Sequence, residues 1–172
     1  MKKSNKGFTL VELIVVIAII GVLAAILVPS LLGYVSDSKV SSANANAKQV
    51  YTAAATWCTK CETAGDSVVT GIYRDDSTQQ NNGGDFGAKV KANLGSGNDY
   101  KWYVVVSNGS PIAAYCAKTD KDLYVGSYPK EETDKTGKNI TALTKLGNQS
   151  TNTGITSASA EAFKTMNATD CK

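Results

Sequence analysis

Four cysteines and one isolated carboxylate are the side chains of this sequence whose types and spacing could support chemistry. The cysteines are Cys58, Cys61, Cys116 and Cys171, and the first two form a C-T-K-C motif. The chain contains no histidine, so it cannot build a Ser/His/Asp or Cys/His catalytic group, and it has no glycine-rich phosphate loop. We therefore predict no catalytic residue, no cofactor and no enzymatic activity.

Two cysteines separated by two residues occur in zinc sites, in thiol redox centres and in disulfide frameworks. A zinc site needs a second close pair or histidines, and this chain has neither. A thioredoxin-like centre places the motif at the start of a helix that follows a strand, whereas here it ends a long helical pattern. We predict no metal site and two structural disulfides among Cys58, Cys61, Cys116 and Cys171. Three pairings are possible, and the chain-entropy model favours pairing each helix cysteine with a downstream one.

The isolated carboxylate is Glu12, which interrupts a long apolar run. Residues 13–28 contain no charged or strongly polar side chain. A helix over residues 8–32 would reach roughly 37 Å, which exceeds the hydrocarbon core of a bilayer at about 30 Å. The three lysines that precede it, Lys2, Lys3 and Lys6, place the N-terminus in the cytoplasm by the positive-inside rule. We predict a transmembrane helix at residues 8–32, with the rest of the chain outside.

A carboxylate in a membrane helix costs about 2.5–3.5 kcal/mol on insertion scales, so Glu12 needs a compensating interaction. One alternative is that its side chain reaches the membrane surface and interacts with the positive end of the helix. The other is that it pairs with a positive charge, because buried charges are tolerated when they are paired.

The sharpest boundary of the apolar segment lies in front of it. A secretory signal peptide would have a shorter apolar core and a cleavage site such as Ala24-Ala25, yet here the run continues to Leu32. The sequence G-F-T-L-V-E after a short lysine-rich leader resembles the N-terminus of a type IV pilin, a prepilin with a class III signal peptide. The resemblance implies that a prepilin peptidase cleaves between Gly7 and Phe8 and methylates the new amine of Phe8.

The resemblance also implies a role in assembly. Glu12 would pair with the amine of Phe8 on a neighbouring subunit, a head-to-tail contact that produces a helical filament. The chain would then be the structural, and major, subunit of a type IV pilus, a homopolymer built by the pilus assembly machinery. It would lie in the inner or cytoplasmic membrane before assembly and in a surface fibre afterwards, serving adhesion, motility or biofilm formation. The alternatives are a secretion or competence pseudopilin and a minor tip pilin.

Gly21 and Pro29 are two helix-weakening residues within the apolar segment. Glycine lowers helix propensity, and proline lacks a backbone donor and crowds the carbonyl four residues earlier. Membrane helices accept such kinks. The family resemblance implies more, namely that the helix can melt between these two positions on assembly and let the fibre stretch.

The leader would comprise residues 1–7. The residues that follow the transmembrane helix, 33–172, are numerous enough for one extracellular globular domain. The formal charge of +3 includes the three leader lysines, so the mature side chains are near neutrality. We therefore predict no nucleic-acid partner and a surface that can pack against copies of itself.

Hydrophobic periodicity predicts that the helix continues to about Cys61, with one apolar stripe that faces a sheet. The stripe comprises Val40, Ala43, Ala47, Val50, Tyr51, Ala54, Trp57, Cys58 and Cys61. A short strand is expected at residues 67–73, and a small helix is expected after the N-cap Asp85, ending at Gly95. Three strand-like segments predict an antiparallel meander, at residues 101–107, 112–118 and 123–128. Trp102, Val104 and Val106 are expected to share one face of its first strand.

The C-terminal region is polar, with Ile140, Leu143 and Leu146 as its apolar anchors and a short helix expected at residues 157–166. The sequence thus predicts an α+β fold: a long N-terminal helix, apolar in its first half and packed on an antiparallel meander in its second. A variable C-terminal region follows. This layout resembles the type IV pilin fold.

Overall fold

A computed structural model describes residues 7–133 apart from 69, 76–79, 82–83, 96, 98–99 and 120–121. The chain divides into two compact units, Met1–Asp37 and Ser38–Lys172. Helix α1, Leu10–Thr63, contributes its first half to one unit and its second half to the other. The short helix expected at residues 157–166, the apolar anchors of the C-terminal region and Cys171 lie outside the described residues.

The described part of the first unit is the N-terminal half of α1. Leucine, isoleucine, valine and alanine fill this half, and its large apolar side chains are exposed from Phe8 to Val35. Among the described helices, α1 is the one that is long and apolar enough to cross a membrane, judged by length and composition alone.

The second unit contains a hydrophobic core built between α1 and a four-stranded antiparallel sheet. The helix buries one stripe at three- and four-residue steps, as an amphipathic helix on a sheet should. That stripe consists of Val40, Ala43, Asn44, Ala47, Val50, Ala53, Ala54, Cys58 and Cys61. It matches the predicted stripe closely, with Asn44 and Ala53 added and with Tyr51 and Trp57 half-buried at its edge.

The sheet has the strand order β1-β4-β5-β6, where β1 is Gly71–Arg74, β4 is Lys101–Ser107, β5 is Ser110–Ala117 and β6 is Gly126–Tyr128. A two-residue ladder joins β2, Gln80–Asn81, to β3, Gly84–Asp85. The meander and the α+β fold are therefore confirmed. Burial on both faces of β4 and β5 was not predicted, since Val105, Ala113 and Tyr115 are buried as well as Trp102 and Val104.

Local sequence signals explain the connections. Asn108 and Gly109 both have positive φ and form the two-residue turn between β4 and β5, which suits the twist of a hairpin. Helix α2, Phe86–Leu94, begins at Asp85, whose Oδ1 accepts a hydrogen bond from the backbone N of Ala88 at 3.2 Å, and it ends at Gly95. Both boundaries of α2 were predicted.

The third strand of the meander is shorter than predicted. It was expected at residues 123–128 but begins at Gly126. The carboxylate of Asp122 accepts a hydrogen bond from the backbone N of Tyr124 at 3.3 Å, and Leu123 is exposed. Such a local side-chain bond gives the backbone a partner other than the strand ladder. The first strand likewise starts four residues later than expected, at Gly71.

Candidate assembly site at the N-terminus

The predicted processing site lies in front of α1. Gly7 and Phe8 are exposed and not helical, and a side chain at position 7 would meet no atom within 4 Å. The side chain of Phe8 is 84% exposed. The peptide bond between these two residues is therefore free of contacts with the described part of the chain that would block a peptidase.

Glu12 lies in the first turn of α1, where its carboxylate is bound by Thr9. Its Oε2 accepts hydrogen bonds from the backbone N of Thr9 at 2.8 Å and from the Thr9 hydroxyl at 2.7 Å. In return, the Thr9 hydroxyl accepts a 3.3 Å hydrogen bond from the backbone N of Glu12. This reciprocal arrangement is a capping box, in which the N-cap threonine and the acid three residues later satisfy helix donors.

Thr9 is a site residue that the sequence analysis missed. The pattern T-L-V-E is itself a capping-box signature, because a threonine stands three residues before a glutamate at the start of an apolar run. The negative side chain is also favourable at the positive end of the helix. The structure therefore gives the lone acid of the apolar segment a local partner within its own chain.

The apolar surface that surrounds this carboxylate is unusually extensive. From Leu10 to Val35 the helix exposes large aliphatic side chains on all its faces, and none of residues 7–35 is buried. Soluble monomers rarely expose contiguous apolar patches beyond a few hundred Å². This half of α1 therefore requires another apolar environment, either lipid or protein.

Gly21 and Pro29 both lie inside α1, which the structure assigns as helix through both positions. A side chain at position 21 would meet no atom within 4 Å, so the glycine is not required by a close contact here. The predicted melting between these residues concerns assembled fibres, and it stays a prediction.

Three of the cysteines occupy one core cluster. Cys58, Cys61 and Cys116 are buried free thiols, so the predicted disulfide between the helix and the strand is not formed in this structure. Cys171 lies outside the described residues, and the pairing of the four cysteines stays a prediction.

The environment of these thiols does not favour thiolate chemistry. Burial, with a smaller effect of Cys61, raises the pKa of Cys58 to about 12. Burial, with a smaller effect of Asp75, raises the pKa of Cys116 to about 12, and burial also raises the pKa of Cys61. Reactive or metal-binding cysteines require the thiolate form. Within the described residues, no group of three potential metal ligands occurs.

Comparisons with known proteins match the N-terminal region. The family model described as the prokaryotic N-terminal methylation motif matches residues 2–28. The type IV major pilin protein PilA of Myxococcus xanthus is 53% identical over 49 residues, which cover 28% of this chain and 22% of that protein. A type IV major fimbrial protein FimA of Dichelobacter nodosus is 42% identical over 69 residues, covering 40% of this chain and 44% of FimA.

The fimbrial protein EcpC of Eikenella corrodens is 56% identical over 43 residues, covering 25% of this chain and 28% of EcpC. The chain thus spans less than half the length of these curated relatives, and no solved structure matches it. This chain shares three features with type IV pilins: the methylation motif, the similarity of its N-terminal region to pilin and fimbrial proteins, and a long apolar helix followed by an antiparallel sheet.

Proposed function

We propose that the chain is the structural, and major, subunit of a type IV pilus. The observation that carries the proposal is the combination of an exposed apolar helix and a single carboxylate in its first turn. The relatives that align with this segment are named major pilin and major fimbrial proteins, which supports the major role. Adhesion, motility and biofilm formation are the roles that the fibre would serve.

Maturation comes first in the proposed sequence. A prepilin peptidase removes the leader, residues 1–7, by cleaving between Gly7 and Phe8, and the amine of Phe8 is then methylated. The apolar segment, residues 8–32, holds the mature subunit in the membrane, and residues 33–172 form the extracellular domain. The assembly machinery then moves the subunit from the membrane into the surface fibre.

Hydrophobic burial holds the assembled fibre together in water. Fully burying one valine, leucine, isoleucine or phenylalanine side chain contributes about 1.5–3 kcal/mol when it leaves water. A subunit already in lipid gains less, because its apolar surface is covered there too. The carboxylate of Glu12 therefore does not supply the affinity of the filament. Its role is to set the register in which two neighbouring helices pack.

Glu12 exchanges partners in this proposal. In the free subunit its carboxylate accepts the two hydrogen bonds from Thr9. In the filament the charged amine of Phe8 from a neighbouring subunit approaches the same carboxylate and pairs with it. Removing one partner of a buried ion pair costs about 3–5 kcal/mol, because the other charge is then left uncompensated.

The test compares two substitutions of Glu12 in cells that make the fibres. Glu12→Gln keeps a side chain that can complete the capping box with Thr9 but removes the charge, and Glu12→Ala removes both. We expect both variants to insert in the membrane and both to lower the number of fibres at least about tenfold. Electron microscopy of sheared fibres and immunoblotting of membranes measure the two outcomes.

Normal fibres from Glu12→Gln would show that the cap alone matters and would contradict the charge pairing. Mass spectrometry of the mature subunit provides the control for processing, with N-methylated Phe8 expected as the first residue in all three proteins. A mature chain that still begins at Met1 would overturn the proposal. Short fibres confined to the cell envelope would favour the pseudopilin alternative.

A further inference from the structure

Cys58 and Cys61 are two buried thiols that stand one helical turn apart. Both belong to the buried stripe of α1, and the helix is continuous through both positions. Residues three apart on a regular α-helix have Cα atoms about 5 Å from each other. The Cα atoms of a disulfide lie about 4.4–6.8 Å apart. Cys61 also contributes to the raised pKa of Cys58, as expected for neighbouring thiols. The two cysteines are therefore close enough to bond across a single turn.

Cys116 lies in β5, and the register of the sheet shows which part of α1 it is near. Cys116 is the antiparallel partner of Gly126 in β6. A Cβ added at position 126 would collide with the backbone carbonyl of Ala43, so β6 lies directly against α1 there. Asn44 supports the same placement, since its Oδ1 accepts a 3.0 Å hydrogen bond from the backbone N of Ser127. Cys116 is therefore level with the beginning of the buried stripe.

These contacts set a lower limit on the distance from Cys58 to Cys116. The Cα atoms of Ala43 and Gly126 lie within about 5 Å of each other, because the backbones of the two residues touch. Paired Cα atoms on neighbouring strands are about 5 Å apart, so Cys116 lies within about 10 Å of Ala43. Cys58 lies about 22 Å further along α1 than Ala43. The Cα atoms of Cys58 and Cys116 are thus at least about 12 Å apart, which is too far for a disulfide.

Tyr51 provides an independent check on the direction of α1 across the sheet. Its hydroxyl donates a 2.8 Å hydrogen bond to the backbone O of Pro111, which lies at the opposite end of β5 from Cys116. Following α1 from Asn44 to Tyr51 therefore leads away from Cys116, and Cys58 lies about two turns further in the same direction. The chain-entropy preference for long loops cannot select Cys116 as a partner, because it applies only to thiols that meet in the folded domain.

The pair lies near the C-terminal end of α1, where the helix can adjust. Cβ atoms three residues apart on a helix are about 5–6 Å from each other, whereas those of a disulfide are about 3.5–4.5 Å apart. The carbonyl of Cys61 accepts hydrogen bonds from the backbone N of Ala64 at 3.0 Å and from that of Asp66 at 2.9 Å, and Gly65 has positive φ. This cap replaces the regular bonds of the helix interior, so the last turn can move towards Cys58.

We propose that Cys58 and Cys61 form an intrahelical disulfide with each other in an oxidising compartment. The oxidant is a small disulfide compound such as glutathione disulfide. The thiolate of one cysteine attacks it, forms a mixed disulfide and releases one thiol. The second thiolate attacks the protein sulfur of the mixed disulfide and displaces the other thiol. The two cysteines lose two electrons and two protons, and the oxidant gains both as it becomes two thiols.

Burial determines when this exchange takes place. In the folded domain both side chains are buried and burial raises the pKa of both thiols, so exchange occurs before the end of α1 has packed on the sheet. The second step favours the neighbouring thiol over a distant one such as Cys171, because its effective concentration across one turn is high. The proposal does not depend on fibre assembly, and a failed fibre assay would count against the proposed function alone.

Peptide mapping tests the pairing in the full chain. The chain is unfolded in urea with a reductant and refolded into detergent micelles with glutathione and glutathione disulfide, and the remaining thiols are then blocked with N-ethylmaleimide. Trypsin cleaves after Lys60, so the two cysteines fall in separate peptides, residues 49–60 and 61–74. We expect mass spectrometry to find these two peptides joined at least about tenfold more often than any other pair of cysteine peptides.

Two results would overturn the proposal. One is a predominant link from either helix peptide to residues 102–118 or 165–172, which contain Cys116 and Cys171. The other is maleimide on both helix peptides. If the chain does not refold, the same mapping of chain isolated from cell membranes, with thiols blocked at lysis, tests the pairing without a refolding step.

Cys116→Ser and Cys61→Ser are matched variants that test the distance argument. Cys116→Ser should retain the link between residues 49–60 and 61–74, and loss of that link would overturn the proposal. Cys61→Ser leaves Cys58 without its neighbour, yet it should not join Cys58 to Cys116, because that thiol is out of reach. A link between Cys58 and Cys116 in Cys61→Ser would show that the two can meet and would contradict the proposal.

Discussion

The exposure of apolar side chains differs between residues 7–37 and residues 38–133. In the first region valine, leucine and isoleucine are exposed on every face of the helix, whereas in the second valine, alanine, cysteine and aromatic side chains form a core between α1 and the sheet. Their main side-chain hydrogen bonds differ too. Thr9 and Glu12 are three residues apart, while Asn44 and Glu132 are 88 apart.

This difference indicates where each region obtains its stability. The second region buries its own apolar surface, so contacts within a single chain account for its stability. The first satisfies its lone carboxylate locally but leaves its apolar surface uncovered, so that surface requires lipid or another protein surface to cover it. One half of α1 is therefore buried within its own domain, and the other half needs its surroundings to cover its apolar side chains.

The strongest test of this comparison uses one substitution at two places. Ile72 is 2% exposed in β1, and Ile20 is 58% exposed in the first half of α1. We expect Ile72→Ala to lower the free energy of unfolding of the domain by about 2–5 kcal/mol, because it leaves a cavity in a packed core. Ile20→Ala should change it by less than about 0.5 kcal/mol.

Denaturant titration in micelles measures both effects through tryptophan fluorescence, since Trp57 and Trp102 both lie in the second region. Equal losses from the two variants would mean that the first region has a core of its own, against the comparison. In the fibre assay Ile20→Ala should lower the number of fibres, because it removes apolar surface that assembly would bury.

The sequence revealed regular hydrophobic patterns, such as the buried stripe of α1, and signals confined to a few residues. Asp85 and Gly95 were recognised as the ends of α2 because a cap needs only its own turn. Thr9 could have been found in the same way, since its partner Glu12 is three residues away.

Asn44 could not have been found so easily. It lies in the polar, small-residue sequence S-S-A-N-A-N-A, and its partners are 83 and 88 residues away. The late start of β6 also depends on a bond between Asp122 and Tyr124 that competes with the strand pattern. For the assembly site the missing information is of another kind, because the amine that would pair with Glu12 belongs to a second subunit.

A smaller effect within the second region comes from the N-cap of α2. Asp85→Ala should lower the free energy of unfolding by about 0.5–2 kcal/mol, because the backbone N of Ala88 loses its acceptor. Asp85→Ser is the matched control and should retain most of the stability, since serine is also a good N-cap. Denaturant titration of the two variants checks the prediction, and identical losses would argue against the cap. Neither substitution should alter fibre assembly, because the proposed assembly contacts lie in the first region.

The smallest expected effect is the pH dependence contributed by buried thiols, which only the second region contains. Burial raises the pKa of Cys58 and of Cys116 from 9.0 in the unfolded chain to about 12 in the folded domain. The folded state therefore favours the neutral thiol, so this contribution is complete well below pH 9 and is lost progressively as the pH rises towards 12. At pH 9 the loss is about 0.4 kcal/mol for each thiol.

The measurement compares the free energy of unfolding of the reduced chain at pH 7.5 and at pH 9. Cys116→Ala should show a smaller decrease between these two pH values than the unmodified chain, whatever its absolute stability, because one titrating thiol has been removed. All other side chains are the same in both proteins, so their contributions cancel in the difference. Parallel decreases would mean that Cys116 ionises as readily in the folded domain as in the unfolded chain. That result would remove the contrast between a region that shields its side chains from water and one that exposes them.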